Sequence, residues 1–241
     1  MSVETWDSIA DWYAEHLRAG SAMHEFARDV LLAALPVDLR GRRVLDVGCG
    51  EGIITRALAG RGAEAVGIDP AERLIAHALA SEDKSATGAR YAVDDGCTLS
   101  TIADGSADWV TAGLSLNNVP DLAAAADAVA RVLVPGGRLA FTIPHPCFEA
   151  PHASWTGTAD GSTRRTVGDY LNEGFWRSAN PQGVRRVGNQ HRTLSTCLMT
   201  LIGRGFAIEV VAEPVPDSRV TAEQPRRAGL PPFLLVVACR A

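Results

Sequence analysis

The sequence predicts an α/β fold: a seven-stranded, mostly parallel sheet with an antiparallel last strand, helices on both faces, two extra helices at the N-terminus and a cap inserted late in the chain. Three observations predict it. Between residues 43 and 82 short strand-like and helix-like segments alternate, as in successive βα units. Three further strand-like runs follow before residue 144. The rhythm then breaks, and it returns only for a closing helix and two strands.

Each element has its own cause. Residues 4–19 and 22–35 carry apolar side chains at helical spacing (Ile9, Trp12, Tyr13, Leu17, then Met23, Phe26, Val30, Leu31, Ala34), and Pro36 stops the second helix. "RVLDVG" (43–48) is a short apolar strand, "IITRALAGRG" (53–62) a helix, "AEAVGID" (63–69) a strand and "AERLIAHALASE" (71–82) a helix. Further strands are expected at "ARYAVDD" (89–95), "ADWVTAGLS" (107–115) and "GRLAFTI" (137–143), with a helix over 121–133 before the "PGG" turn. From Pro144 to about Gln190 glycine, proline, serine and aromatic residues interrupt any period, over a span too long for an ordinary connection. Its aromatics (Phe148, Trp155, Tyr170, Phe175, Trp176) argue against disorder. "TLSTCLMTLIGRG" (193–205) resumes as a helix, and 206–216 and 232–240 read as strands. One domain over 1–241 is expected, divided into a helical cap (1–40), a ligand-binding half (41–143), an inserted cap (144–193) and a closing helix with two strands (194–241).

Composition narrows the function. With 28 acidic and 23 basic residues among 241 the formal charge is −5, and no basic run is interleaved with aromatics. Nucleic acid and anionic membrane are therefore poor candidate partners. Residues 1–20 hold Trp6, Asp11 and Glu15 amid mixed polarity, unlike a signal peptide or a spanning segment, so a cytoplasmic protein is expected. The five cysteines are scattered without metal-knuckle spacing, and no metal is expected.

The chemistry concentrates in "VLDVGCGEG" (44–52), where glycines alternate behind a strand beside Asp46. Glycine within regular structure costs about 0.5–1 kcal/mol relative to alanine, so such a loop is kept where the main chain approaches a ligand closely. A phosphate loop would end in Gly-Lys-Ser/Thr, which is missing, and a dinucleotide loop would space its last glycine three positions on, with no carboxylate facing the pyrophosphate. An acidic residue suits a ligand with an ammonium group instead. Asp69, at the end of the next strand, stands where an acidic residue takes both ribose hydroxyls of a nucleoside, and "VDDG" brings Asp94 and Asp95 to the end of the third strand, within reach of an adenine amine. Three carboxylate sites at consecutive strand ends describe a cleft for an adenosine with a positively charged tail.

"VLDVGCGEG", "VGIDP", "DD", "LSLNNVPDL" and "RVLVPGGRLAFTIP", in this order and spacing, resemble the class I S-adenosylmethionine-dependent methyltransferases, and more closely their small-molecule branch. The strong similarity covers about residues 40–145, and "HPCF" with "HRTLSTCL" extends it further. The resemblance implies a Rossmann-like fold and S-adenosylmethionine as cofactor, with S-adenosylhomocysteine as product. It places Gly48, Cys49 and Gly50 against the methionine portion with Asp46 near its ammonium group, Asp69 with Pro70 at the ribose, Asp95 with Gly96 at the adenine, and Leu114 beneath it. The choice of Asp95 over Asp94 follows from register.

Methyl transfer from a sulfonium needs alignment, desolvation and, for an alcohol or phenol acceptor, removal of a proton. His145, just past a central strand, and His191 are candidate bases, against which stand a structural turn at His145 and a structural hydrogen bond tying the insertion to the body at His191, whereas His77 reads as a surface residue. Where many relatives of this branch place a histidine, this chain has Asn117 and Asn118, and Asn117 is expected to orient an acceptor. Trp12, Tyr13, Asn118, Phe148, Tyr170 and Trp176 are candidate substrate contacts, with residues 1–35 and 144–193 together enclosing a mostly apolar acceptor. The expected activity is methylation at O, N or C of a small organic molecule by a monomer or homodimer, in secondary metabolism or, alternatively, as C-methylation of a quinone or isoprenoid ring. A protein of this fold that binds the cofactor without transferring methyl is a third reading, and a nicotinamide dehydrogenase a fourth.

Overall fold

A computed structural model describes residues 4–159, 162–181 and 183–241; residues 1–3 of the N-terminal cap and 160, 161 and 182 of the insertion lie outside it. The chain begins with α1 (Trp6–Arg18) and α2 (Ala22–Ala33). It then builds β1 (Arg43–Val47), α3 (Ile53–Gly60), β2 (Glu64–Asp69), α4 (Glu72–Ser85), β3 (Arg90–Val93), β4 (Ala107–Gly113), α5 (Leu122–Val132) and β5 (Leu133–Pro144). The insertion holds the short strands β6 (Ser154–Gly157), β7 (Thr163–Thr166), β8 (Gly174–Trp176) and β9 (Asn189–His191). The closing segment holds α6 (Leu194–Ile202), β10 (Phe206–Ala212), α7 (Ser218–Glu223) and β11 (Phe233–Arg240).

The main sheet runs β10-β11-β5-β4-β1-β2-β3. Strands β1 to β5 pair in parallel, and β11 enters antiparallel between β5 and β10. The chain steps outward from β1 to β3, then returns to β4 on the other side. Strand order therefore reverses between β1 and β4, and the crevice at their carboxyl ends is where ligands bind in open sheets.

Both faces of the sheet are covered because its strands are apolar on both. Along β1 and β5, Val44 and Ala140 join a core with Leu31, Leu35, Leu58 and Leu235. Their neighbours Leu45, Leu139 and Phe141 join the opposite core with Val129, Cys197 and Leu201. Alternate side chains point to opposite faces, so a continuous apolar run feeds two cores at once.

Three features differ from the sequence expectation. The "PGG" segment is not a turn that precedes a strand: β5 begins at Leu133, Gly136 takes φ +74°, and the pairing with β4 shifts register there. The insertion, read as aperiodic, forms two small antiparallel sheets, β6–β7 and β8–β9. A further helix, α7, packs Val220 against Phe26 of α2 and Phe233 of β11. At six residues it is too short for a periodic signal to show.

Ion pairs tie the added segments together. Buried Glu149 accepts from Arg227 Nη1 at 2.7 Å and Arg185 Nη1 at 3.0 Å, with Arg165 Nη2 at 3.4 Å. Burial alone would raise the pKa of its carboxyl, but the guanidiniums, Arg185 foremost, hold it below the usual range. On the other side of the site α1 docks on α4: Asp7 accepts from the Arg73 amide, and Asp11 pairs with the Arg73 guanidinium and, at 2.8 Å, with His77. His77 is thus a docking contact as well as a partly exposed side chain. From above, the Arg186 guanidinium lies 3.9 Å from the Trp12 ring centroid and pairs with Glu4.

Removing one partner of a buried ion cluster leaves the remaining charges uncompensated, at about 3–5 kcal/mol. Glu149→Gln should lower the melting temperature by roughly 10 °C for a chain of this size. A melting curve within a degree of wild type would show that the arginines do not need the carboxylate.

Candidate active site

The turn after β1 explains its glycines. Gly48 takes φ +68°, and a Cβ there would lie 2.3 Å from Ser115 Cβ, so the loop presses against the chain leaving β4 in a way only glycine allows. Gly50, at φ +56°, turns its amide back to donate to Asp69 Oδ2 at 3.0 Å. The same carboxylate accepts from the Ala71 amide through Oδ1 at 2.9 Å. Asp69 therefore joins the ends of β1 and β2, and burial raises its pKa against the pull of these two amides.

A cleft of about 720 Å³ opens at the switch point. Gly48, Gly50, Asp69, Pro70, Asp95, Gly96 and Leu114 line it, with Trp6 and Tyr13 from α1 and Asn118 from the loop after β4. Among the described residues two carboxylates face it, and no lysine, arginine or histidine does. The adjacent pair at the end of β3 is divided. Asp94 is consumed by the amides and hydroxyls of Ser100 and Thr101, whereas the Asp95 carboxylate accepts one bond, from the Cys97 amide, and lines the cleft.

Leu114 occupies the left-handed region at φ +55° without being glycine. Such a conformation costs about 1–3 kcal/mol and is held by its surroundings. Here the Leu114 amide donates to Thr142 O at 2.9 Å, and its carbonyl accepts from Asn118 Nδ2 at 3.2 Å.

Two expected cofactor residues lie off the cleft. Asp46, 1% exposed, sits behind its wall, where Oδ2 accepts from Thr55 Oγ1 at 2.7 Å and Oδ1 from Thr111 Oγ1 at 2.9 Å. It does not line the cleft. Cys49 turns its thiol toward the Gly50 carbonyl at 3.7 Å and borders a neighbouring chamber instead. Burial, with Asp46 and Asp69, pushes that thiol's pKa well up, so it is no nucleophile.

The expected catalytic residues are also dispersed. His145 is 1% exposed and used at both nitrogens: the Cys147 amide donates to Nδ1 at 3.2 Å, and Nε2 lies 2.7 Å from Glu213. With both nitrogens engaged and Phe148 packed on the ring at 4.6 Å, it cannot meet an acceptor, and the expectation of a base there is corrected. His191 and Asn117 line a separate cavity of about 470 Å³ with Trp176, which shares no lining residue with the cleft. His191 Nε2 donates to Tyr170 O at 2.8 Å. Among the expected substrate contacts, Tyr13 and Asn118 line the cleft. Trp12 is stacked on His16, Phe148 on His145, and the Tyr170 hydroxyl accepts from the Leu194 amide, so these three serve packing. His24, absent from the sequence candidates, borders the neighbouring chamber. Among the described residues no three histidine, cysteine, aspartate or glutamate side chains form a metal group, and no helix is long and apolar enough to cross a membrane.

Comparison with known proteins decides the family. The methyltransferase-domain family matches residues 45–141. A solved S-adenosylmethionine-dependent methyltransferase from Mesorhizobium loti is 34% identical, with 92% of this chain and 99% of that one aligned at a TM-score of 0.78. The chain belongs to the S-adenosylmethionine-dependent methyltransferases. A putative methyltransferase of this kind from Listeria monocytogenes is 28% identical over 89% of this chain and 98% of its own, at a TM-score of 0.74. A ubiquinone biosynthesis O-methyltransferase from Psychrobacter arcticus is 38% identical over 131 residues, 53% of this chain. This methyltransferase thus spans just under half the length of that relative, 48%.

The buried Asp46 gives the methyltransferase a testable pH signature. Burial, opposed by the two threonine hydroxyls and reinforced by Asp69, raises its pKa to about 6 from an unfolded value near 4. The folded state then holds this proton more tightly than the unfolded state, so this group's contribution to stability is greatest at low pH and is lost as pH climbs from 4 to 6. The loss is about 3 kcal/mol at most, from a two-unit shift. Asp46→Asn should remove that slope in urea titrations at pH 4, 5, 6 and 7. Parallel slopes in both proteins would place the ionised carboxylate in no worse an environment than water.

Proposed function

We propose that the cleft holds S-adenosylmethionine with its ribose hydroxyls on Asp69, its adenine by Asp95 and Gly96 over Leu114, and its methionine portion along Gly48–Gly50. One observation carries this reading: among the described residues the cleft offers two carboxylates and no cationic side chain. A dinucleotide would bring a pyrophosphate into that acidic setting, whereas an adenosine with a positive tail meets attraction throughout. Asp69 has both oxygens within reach of further donors even after accepting two amides, since each carboxylate oxygen takes two hydrogen bonds. When bound, the cofactor supplies a methyl group on a positively charged sulfur.

The acceptor we propose is a small, mostly apolar molecule methylated on a ring hydroxyl. Support comes from the name of the Psychrobacter relative and from apolar walls beyond the cleft, contributed by Leu17, Ala27, Ile53 and Ile54. O-methylation is favoured over C-methylation of a quinone or isoprenoid ring on the same ground. Secondary metabolism, one of the roles expected from the sequence, gains no support from these relatives.

Charge-assisted hydrogen bonds are worth about 1.5–3 kcal/mol each. Asp69→Ala should therefore weaken S-adenosylhomocysteine binding by about 10- to 100-fold in calorimetry, each tenfold being about 1.4 kcal/mol. Asp95→Ala should cost less, and NADH should give no heat. Tighter binding of NADH than of S-adenosylhomocysteine, or an Asp69→Ala affinity equal to wild type, would refute the assignment.

A further inference from the structure

The loop after β4 has two sides. Leu114, Ser115 and Asn118 line the cleft, whereas Leu116 and Asn117 line the separate cavity of about 470 Å³ beside the insertion. Leu122, Phe141, Ile143 and Cys197 form the apolar side of that cavity, and Trp176 of β8 adds an aromatic wall. Its ionised groups are engaged. Glu149 is held by three guanidiniums, and Arg192 donates to the carbonyls of Leu116, Val119 and Pro120. Burial pushes the pKa of the Cys197 thiol up to about 11, so this group stays neutral.

Two acceptors are left over, and a backbone carbonyl fixes each. Leu114 O can only accept, so Asn118 turns Nδ2 to it at 3.2 Å and presents Oδ1 to its neighbour. Asn117 answers that oxygen with Nδ2 at 3.1 Å, which leaves Asn117 Oδ1 over. This oxygen is buried and has no hydrogen-bond partner among the described residues. Tyr170 O likewise can only accept, so His191 carries a hydrogen on Nε2, 2.8 Å away, and in the neutral ring the lone pair is on Nδ1. Nδ1 makes no hydrogen bond to any described residue. Buried side-chain oxygens are ordinarily paired, so an unpaired one on a cavity wall is a place for a ligand's donor.

We propose that this cavity is a second binding site, taking a single-ring molecule with a hydroxyl or N–H donor, such as a phenol, and that filling it steadies the cleft wall. A quinone, with carbonyls and no donor, would set a second acceptor against Asn117 Oδ1. Asn189 and Gln190 add carboxamides that suit a second polar group on the ring.

The effect on the cleft follows from the same chain of bonds. Leu114 sits in the left-handed region, its carbonyl is held by Asn118, and Asn118 is held by Asn117. The loop arrangement that shapes the cleft is also the one that leaves a buried oxygen unpaired, which destabilises it. A donor that pairs this oxygen favours that arrangement over others. The site stands on the cavity itself, and its effect on the cofactor rests on the placement proposed above. Two sources share the ligand chemistry, the methyl acceptor and a separate effector, and the test distinguishes them.

The test uses the full chain with S-adenosylhomocysteine bound, and compares phenol with toluene, which has the same shape without the donor. Phenol should shift the NMR signals of the Asn117 carboxamide and the Trp176 indole. Asn117→Leu should weaken phenol binding about tenfold in calorimetry and leave toluene within about threefold. Cys197→Met, which fills the cavity without touching Asn117, should weaken both about tenfold or more and guards against a misfolded first variant. In the wild type, phenol should tighten S-adenosylhomocysteine about twofold or more, and S-adenosylhomocysteine should tighten phenol by the same factor. With S-adenosylmethionine, anisole formed by the wild type and not by Cys197→Met would identify the bound phenol as the acceptor, and binding without that dependence would identify an effector. Phenol that leaves Asn117 unshifted would mean that water alone meets its oxygen, and would overturn the site. So would equal losses for phenol and toluene in Asn117→Leu, or an unchanged phenol affinity in Cys197→Met. Indifference of S-adenosylhomocysteine affinity to phenol would overturn the effect on the cleft. Failure of the wild type to bind S-adenosylhomocysteine while phenol still shifts Asn117 would instead overturn the cofactor reading.

Discussion

One buried carboxylate organises the switch point. Asp46 leaves β1, takes a hydroxyl from Thr55 of α3 and another from Thr111 of β4, and so fastens together the three elements that open the cleft. An unpaired buried charge would be prohibitive, and two hydroxyl donors make it tolerable without cancelling it. The negative charge stays behind the wall, where a low effective dielectric lets it act over several ångströms. The glycine loop can then turn main-chain groups toward the ligand, because the charge that attracts a cationic ligand does not have to occupy the cleft.

The opposite wall is tied to β1 where Ser115 Oγ donates to Val47 O, and it is also held from outside. The loop after β4 carries Leu114, Ser115, Asn118, Val119 and Pro120 along the cleft, with a strained residue at its start. Arg192, at the far end of the insertion, donates to the carbonyls of Leu116, Val119 and Pro120, and the Gln190 amide donates to Asn117 O at 2.7 Å. Asn117 completes the link by donating to Asn118 Oδ1 at 3.1 Å, with Asn118 in turn holding Leu114. The insertion thus shapes the cleft through a loop it clasps, and His191 and Arg192, beside one another in sequence, belong to this support.

How far the sequence could be read follows from what each signal depends on. The glycine loop, Asp69 and the seven strands were legible because each is local: a positive φ needs glycine, and a strand buried on both faces needs a continuous apolar run. Asp95 lines the cleft while Asp94 is held by Ser100 and Thr101, since successive residues at a strand end face opposite ways. His145 misled because its position past a central strand is right, while the two partners that occupy its nitrogens come from Cys147, nearby, and Glu213, which no local pattern connects to it.

Electrostatics also decide where the acidic groups can stand. Two unit charges 4 Å apart at an effective dielectric of about 20 attract by about 4 kcal/mol. A carboxylate that close to the sulfonium would stabilise the charge that methyl transfer must destroy, raising the barrier by that amount and slowing the reaction about a thousandfold. Carboxylates therefore help only where the cofactor's charge or polarity survives the reaction, at the ammonium, ribose and adenine. That is the distribution seen here: Asp69 and Asp95 mark one end of the cleft, Asp46 is withdrawn behind its wall, and Glu51 is paired with Arg56. The junction between the cleft and its neighbouring chamber is walled by Gly48, Gly50, Gly113, Leu114 and Tyr13. Burial, reinforced by Glu51 and Asp69, keeps that phenol protonated, so the acidic surroundings that draw in the cation also prevent a second anion from forming beside it.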